Sequence, residues 1–130
     1  MRTLIVEDDF TSRLLLQEIL KHYGPVHIAV NGMEAVRAVD AGRKADEPYD
    51  LICLDIMMPE MDGHAVLETI RGREEALGIL SSDGSKIIMT TAVDQIKSVI
   101  QSFQGLCDAY LFKPIHKAKL LEQLRVLGLI

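Results

Sequence analysis

Leu51-Ile52-Cys53-Leu54-Asp55 decides how this chain folds: four apolar residues in succession, then a carboxylate. A run this short and apolar at every position reads as a strand buried on both faces, the situation of a strand inside a parallel sheet. Outward from it, in both directions, the pattern recurs. Leu4-Ile5-Val6 runs into Glu7-Asp8-Asp9, and Tyr110-Leu111-Phe112 runs into Lys113-Pro114. Strands of a parallel sheet present their C-terminal ends along one edge, so these carboxylates and the lysine converge there. In open α/β sheets that edge carries the ligand crevice. The chemistry implied is a hard metal ion with a phosphoryl group.

Segments of helical period alternate with the strand-like runs, the signature of a parallel α/β sheet. The first helix is predicted from Asp9 or Thr11 to Tyr23, with Leu15, Ile19 and Tyr23 as its core stripe, Leu16 and Leu20 beside it, and Gly24-Pro25 as the stop. A weaker strand follows over Val26 to Val30. Asn31 caps a helix carrying Ala35, Val36 and Val39, and Gly42 to Pro48 makes a polar connection into the Leu51 strand. After the Pro59-Glu60-Met61-Asp62-Gly63 turn, Val66, Leu67 and Ile70 mark a third helix, and Lys86 to Thr90 reads as the fourth strand. Ile96, Val99, Ile100 and Phe103 predict a fourth helix; Leu120, Leu121, Leu124 and Leu127 predict a fifth.

At 130 residues, 48% hydrophobic and 25% charged, the chain suits one soluble domain spanning residues 1–130. A net charge of -5 without a clustered basic face argues against nucleic-acid binding. No apolar stretch approaches the ~20 residues of a membrane helix or has signal-peptide flanks, so no membrane role and a cytoplasmic location are expected. Cys53 and Cys107 lack any zinc spacing and read as reduced thiols, and the four histidines form no ligand pattern. Neither a GxGxxG loop nor a Walker-type loop is present, which disfavours a nucleotide site.

Glu7, Asp8 and Asp55 crowded together repel one another unless a cation intervenes. Mg2+ suits such a site: it takes one or two carboxylates, keeps waters, and draws remaining ligands from phosphate oxygens. Asp55 can then attack phosphorus and form an aspartyl phosphate. Lys113 would neutralise a phosphoryl oxygen, and Thr90 or Thr91, at the end of the fourth strand, would donate a hydroxyl hydrogen bond to another.

In these residues the chain resembles the receiver domains of two-component response regulators, the CheY-like family. The likeness runs through Leu4 to Asp9 with Arg13, Asp55 to Gly63, Thr91-Ala92 and Tyr110 to Pro114. It implies a flavodoxin-like (βα)5 three-layer α/β sandwich with a five-stranded parallel sheet in the order 2-1-3-4-5, an arrangement for which CheY is a standard example. It also implies that Asp55 is the phosphoacceptor and Asp8 the direct Mg2+ ligand. Glu7 is then the second acid, Met57 a ligand through its backbone carbonyl, and Lys113 the phosphate-binding lysine, with a cis bond to Pro114. Thr91 and Tyr110 match the switch pair, Thr91 drawing inward on phosphorylation and Tyr110 rotating behind it. That movement changes the face formed by the fourth helix, fifth strand and fifth helix.

The expectation is a stand-alone response regulator, with no output domain, phosphorylated by a sensor histidine kinase or histidine phosphotransfer protein. It would act on a target protein or through a homodimer, as a signalling phosphoacceptor rather than an enzyme. A Mg2+-dependent phosphatase using Asp55 as nucleophile is the rival, weakened because Met57 stands where such enzymes need a second acid. An unphosphorylated docking module is the other. Apolar Met57 and Val93 cannot orient an attacking water, which predicts a phosphoryl group that is not especially short-lived. The stretch from Arg71 to Ser85 is longer than the shortest family members need, and reads as an extended helix or docking element away from the crevice. The apolar terminus Val126 to Ile130 is expected to finish the core, with a self-association contact as the alternative.

Overall fold

Apolar runs become strands and amphipathic segments become helices in the order the sequence predicts. The computed structural model describes residues 1–58, 61–80, 82–92 and 106–130. Its elements are β1 (Thr3–Val6), α1 (Phe10–Leu20), a 3-10 turn (Lys21–Tyr23), β2 (Val26–Ala29), α2 (Gly32–Lys44), β3 (Leu51–Asp55), α3 (Gly63–Ala76), β4 (Lys86–Thr91), β5 (Ala109–Phe112) and α4 (Lys117–Val126). The helix expected around Ile96 to Phe103 lies outside the described residues, as do Pro59 and Glu60 of the predicted turn; α4 is therefore the fifth helix of the sequence reading.

Every strand pair is parallel, in the order β2-β1-β3-β4-β5. This is the flavodoxin-like arrangement. Strand alternation sends Leu4, Val6, Ile52, Leu54, Ile87 and Met89 to one face, where they pack with Ala35 and Val39 of α2 and Val66, Leu67 and Ile70 of α3. Ile5, Leu51, Cys53, Ile88 and Leu111 face the other way, onto Leu16, Ile19 and Leu20 of α1 and Leu120 and Leu124 of α4. Each fully buried Leu or Ile side chain contributes roughly 1.5–3 kcal/mol, so these two layers dominate the stability of the fold.

Polar caps start the helices at the strand ends. Asp9 accepts from the Ser12 N–H and Asp62 from the Ala65 N–H. Asn31 accepts from the Glu34 N–H while Glu34 reaches back to the Val30 N–H, a reciprocal capping arrangement. Asp9, Asn31 and Asp62 therefore all stand at the edge where the strands end.

Three expectations need correction. Leu15 is 40% exposed rather than part of the core stripe, because the face of α1 turned to the sheet is centred on Leu16, Ile19 and Leu20. Gly42 to Lys44 continue α2 instead of forming a connection; Gly42 is buried in that helix, close beneath the Glu47 carbonyl. At the terminus Leu127 and Leu129 pack against the core, but Val126 and Ile130 are exposed. No helix among the described residues is long and apolar enough to cross a membrane.

Candidate functional site

Adjacent strands set the site. Val6 lies opposite Leu54 in the β1–β3 register, so the next residues, Glu7 and Asp55, leave the sheet side by side. One carboxylate oxygen from each of Glu7, Asp8 and Asp55 lies within 4.8 Å of the others. Glu7 and Asp55 are buried, at 1% and 4% exposure, while Asp8 is open to solvent. Asp9, by contrast, is committed to capping α1, and its contact with Ser12 holds its carboxyl below the usual carboxylate range.

Lys113 reaches this cluster from the end of β5. Its backbone N–H donates to the Thr91 carbonyl at 2.7 Å, and the Lys113–Pro114 peptide is cis. The ammonium lies 2.6 Å from Glu7 Oε1 and 3.4 Å from Asp55 Oδ1. Glu7 Oε1 is buried without a well-directed hydrogen bond, so the contact with Lys113 is best described as an ion pair. Burial pushes the Glu7 carboxyl up to about 7, with the Asp55 carboxylate adding to the rise and Lys113 opposing it. Burial pulls Lys113 down, but the neighbouring Glu7 and Asp55 outweigh this and leave its pKa raised.

One partly buried ammonium thus serves a cluster of hard oxygen donors with more negative charge than it can neutralise. A buried carboxylate oxygen without a directed donor, beside two further carboxylates, is a donor set that fits a divalent cation such as Mg2+.

The remaining predicted residues are placed less directly. Met57 donates its N–H to Asp55 Oδ1 at 3.3 Å, and its side chain is 60% exposed, whereas Met58 and Met61 pack against the core. Thr91 is buried, and its hydroxyl donates to the Ala92 carbonyl at 3.3 Å. Its rival Thr90, also buried, stands opposite Asp55 in the β3–β4 register. Tyr110 is 40% exposed and meets Phe112 edge to face, with ring centroids 5.8 Å apart. Val93 lies outside the described residues.

Two supporting residues were not singled out by pattern alone. Arg13, one turn into α1, donates to the Glu7 backbone carbonyl at 3.3 Å and so braces the end of β1. Gly63 donates its N–H to the Ile56 carbonyl, and a Cβ there would lie 2.6 Å from the Asp55 carbonyl oxygen. Only glycine lets the start of α3 approach the Asp55 turn this closely. The Asp62-Gly63 pair, part of the stretch that carries the family likeness, is the sequence signal for this close approach.

This fold and edge cluster define a phosphoacceptor module of two-component signalling, and comparison with known proteins agrees. The chain belongs to the response regulator receiver domain family, whose profile matches residues 3–125. It is 32% identical over 126 residues to the chemotaxis protein CheY of Bacillus subtilis, covering 93% of this chain and 92% of that protein. It is 31% identical to the cell cycle transcriptional regulator CtrA of Caulobacter vibrioides, covering 95% of this chain but 48% of CtrA, so it spans about half the length of that relative. The receiver domain of the sensor histidine kinase PA1611 from Pseudomonas aeruginosa, solved with magnesium coordinated in its active-site cleft, superposes with a TM-score of 0.76. That structure is 27% identical, with 98% of this chain and 97% of the other covered.

Proposed function

We propose that Asp55 of this receiver domain accepts a phosphoryl group from a phosphohistidine with the help of Mg2+. The observation that carries the reading is the cluster of Glu7, Asp8 and Asp55 with the Lys113 ammonium 3.4 Å from Asp55. Glu7, Asp8, Asp55 and the Met57 backbone carbonyl would hold the ion. Bound Mg2+ supplies neutralisation of charge on the phosphoryl oxygens and of the crowded carboxylates.

Asp55 does the covalent chemistry. A carboxylate oxygen forms a bond to phosphorus as the N–P bond of the phosphohistidine breaks, the electron pair returning to the imidazole nitrogen. Lys113 turns from Glu7 to a phosphoryl oxygen, exchanging one anion for another. Thr91 donates its hydroxyl to a second phosphoryl oxygen, and Tyr110 rotates inward from its exposed position on β5. The altered face, which includes β5 and α4, is read by a target protein or by a second copy in a homodimer.

The donor is a sensor histidine kinase or a histidine phosphotransfer protein, and such a phosphorelay is expected in the cytoplasm. On this reading the chain is a phosphoacceptor rather than a turnover enzyme. Residues 1–130 act as a single receiver domain, as in the similarly sized CheY of Bacillus subtilis.

The chemistry is tested by intact-mass analysis after incubation with Mg2+ and acetyl phosphate, comparing the natural chain with Asp55→Asn. A single phosphoryl adduct that requires Mg2+ and is absent from the variant is the expected result. No adduct with acetyl phosphate or with phosphohistidine proteins would overturn the reading in favour of an unphosphorylated docking module.

A further inference from the structure

The long connection from α3 to β4 lies at the sheet edge opposite Asp55 and takes no part in phosphoryl chemistry, yet both its ends are fastened by one buried acid. Glu74, 3% exposed, continues the core-facing stripe of α3 one turn beyond Ile70. Its Oε2 accepts from Arg43 and from the Ser85 N–H, each at 2.8 Å, and its Oε1 accepts from Arg71 at 2.6 Å. Arg71 also donates to the Ser85 carbonyl at 2.9 Å, the Leu106 carbonyl at 2.7 Å and Asp108 Oδ2 at 2.9 Å. Gly84 lies against the Glu74 carboxylate so closely that any side chain there would displace it.

Both ends of the connection are thereby anchored to the fold. What it holds out is apolar: Leu77 is 62% exposed and Leu80 is 68% exposed. Three hollows border them, of about 460, 500 and 650 Å3: Leu80 lines the first, both leucines the second and Leu77 the third. Ile79 lines the first two, joined by Leu106 in the first and Pro48 in the second. Neither leucine contributes to the core at those exposures, and desolvating an Arg–Glu–Arg cluster is costly, so the arrangement is poorly explained by stability alone.

Charge identifies the class of occupant. Among the described residues lining the hollows, Arg71 and Arg43 are engaged by Glu74 and Asp108 and Arg73 by Asp40, so the charges left outside an ion pair are Glu75, Asp46 and Asp83 against the single cation Lys44. A complementary partner must bring the positive charge itself. We propose that the α3–β4 loop is a docking surface for a basic segment of a partner protein, with apolar side chains that cover Leu77 and Leu80 and enter the flanking hollows.

The test is selection of a random displayed peptide library against the full chain, followed by affinity measurement on the natural protein, Leu77→Ser, Leu80→Ser and Asp83→Lys. Both leucines are exposed, so these variants fold, which a thermal melt and phosphorylation at Asp55 confirm independently. Expected are peptides with apolar residues flanked by Lys or Arg, weakened by salt and bound at least about tenfold less tightly by each variant. The proposal fails if the library yields no binder, if binders are acidic or uncharged, or if affinity is indifferent to Leu77 and Leu80. It also fails if sedimentation shows self-association abolished by Leu80→Ser, which would assign the face to a second copy. Phosphorylation in the same samples reports separately on the Asp55 reading.

Discussion

Burial lifts the Glu7 carboxyl to about 7 from an ordinary value of 4.5. A folded pKa above the unfolded one means that the folded state binds the proton more tightly. The associated stability is fully present below about pH 4.5 and is lost as pH rises through 7. Metal-free protein should therefore lose melting temperature between pH 5 and 8 more steeply than Glu7→Gln, and Mg2+ should restore it most at pH 8. Parallel melting profiles for the two proteins would contradict this assignment. Met57 governs a different property. Its exposed side chain has no proton to exchange and no oxygen to orient water, so Met57→Glu should shorten the phosphoryl lifetime at least about tenfold. The decay of the phosphorylated mass after donor removal measures this; an unchanged or longer lifetime in the variant would refute the role. The acidic residues and Lys113 were legible because strand ends concentrate them. The choice between Thr91 and Thr90 was not, since adjacent threonines at a strand end differ only in which face they meet.

Elements approach one another through particular backbone contacts, and Gly63 is the sharpest case. Its missing Cβ would sit 2.6 Å from the Asp55 carbonyl oxygen and 2.7 Å from Ile56 Cα, both backbone atoms that cannot yield without moving β3. Gly63→Ala should cost roughly 1–3 kcal/mol in urea unfolding, with weakened phosphorylation because the Asp55 turn shifts. Gly72, on the same helix with open space around its Cα, is the control: Gly72→Ala should stabilise by up to about 1 kcal/mol through helix propensity. Equal effects at the two positions would remove the argument for a close approach. Helix existence and order followed from apolar period and from Asp9 and Asn31 as caps. Their exact faces did not, as exposed Leu15 and the continuation of α2 through Gly42 demonstrate. Periodicity reports that a helix has an apolar side, whereas the neighbouring layer decides which residues of that side are covered.

Across the whole molecule, Glu74 ties α2, α3, the start of β4 and the approach to β5 into one polar knot beneath the sheet. Glu74→Ala leaves Arg43 and Arg71 without their buried counter-charge and should destabilise the chain by about 3–5 kcal/mol in chemical denaturation. A loss within ~0.5 kcal/mol, the range of ordinary surface substitutions, would show the knot to be dispensable. Glu74 sits seven residues after Leu67 on a core-facing stripe, a placement that the sequence displays. Its significance went unread because an acid on an apolar stripe becomes intelligible only when its arginine partners, distant in the chain, are known. By itself the sequence determined the alternation of strands and helices, the parallel sheet and the gathering of Glu7, Asp8, Asp55 and Lys113 at one edge. These are consequences of periodicity and of where apolar runs stop, properties of residues adjacent along the chain. Only the tertiary structure decided that Lys113 bridges Glu7 and Asp55, that Gly63 must lack a side chain, and that Glu74 fastens the loop presenting Leu77 and Leu80. Those depend on strand register and layer packing, which bring together residues whose separation in sequence carries no local signal.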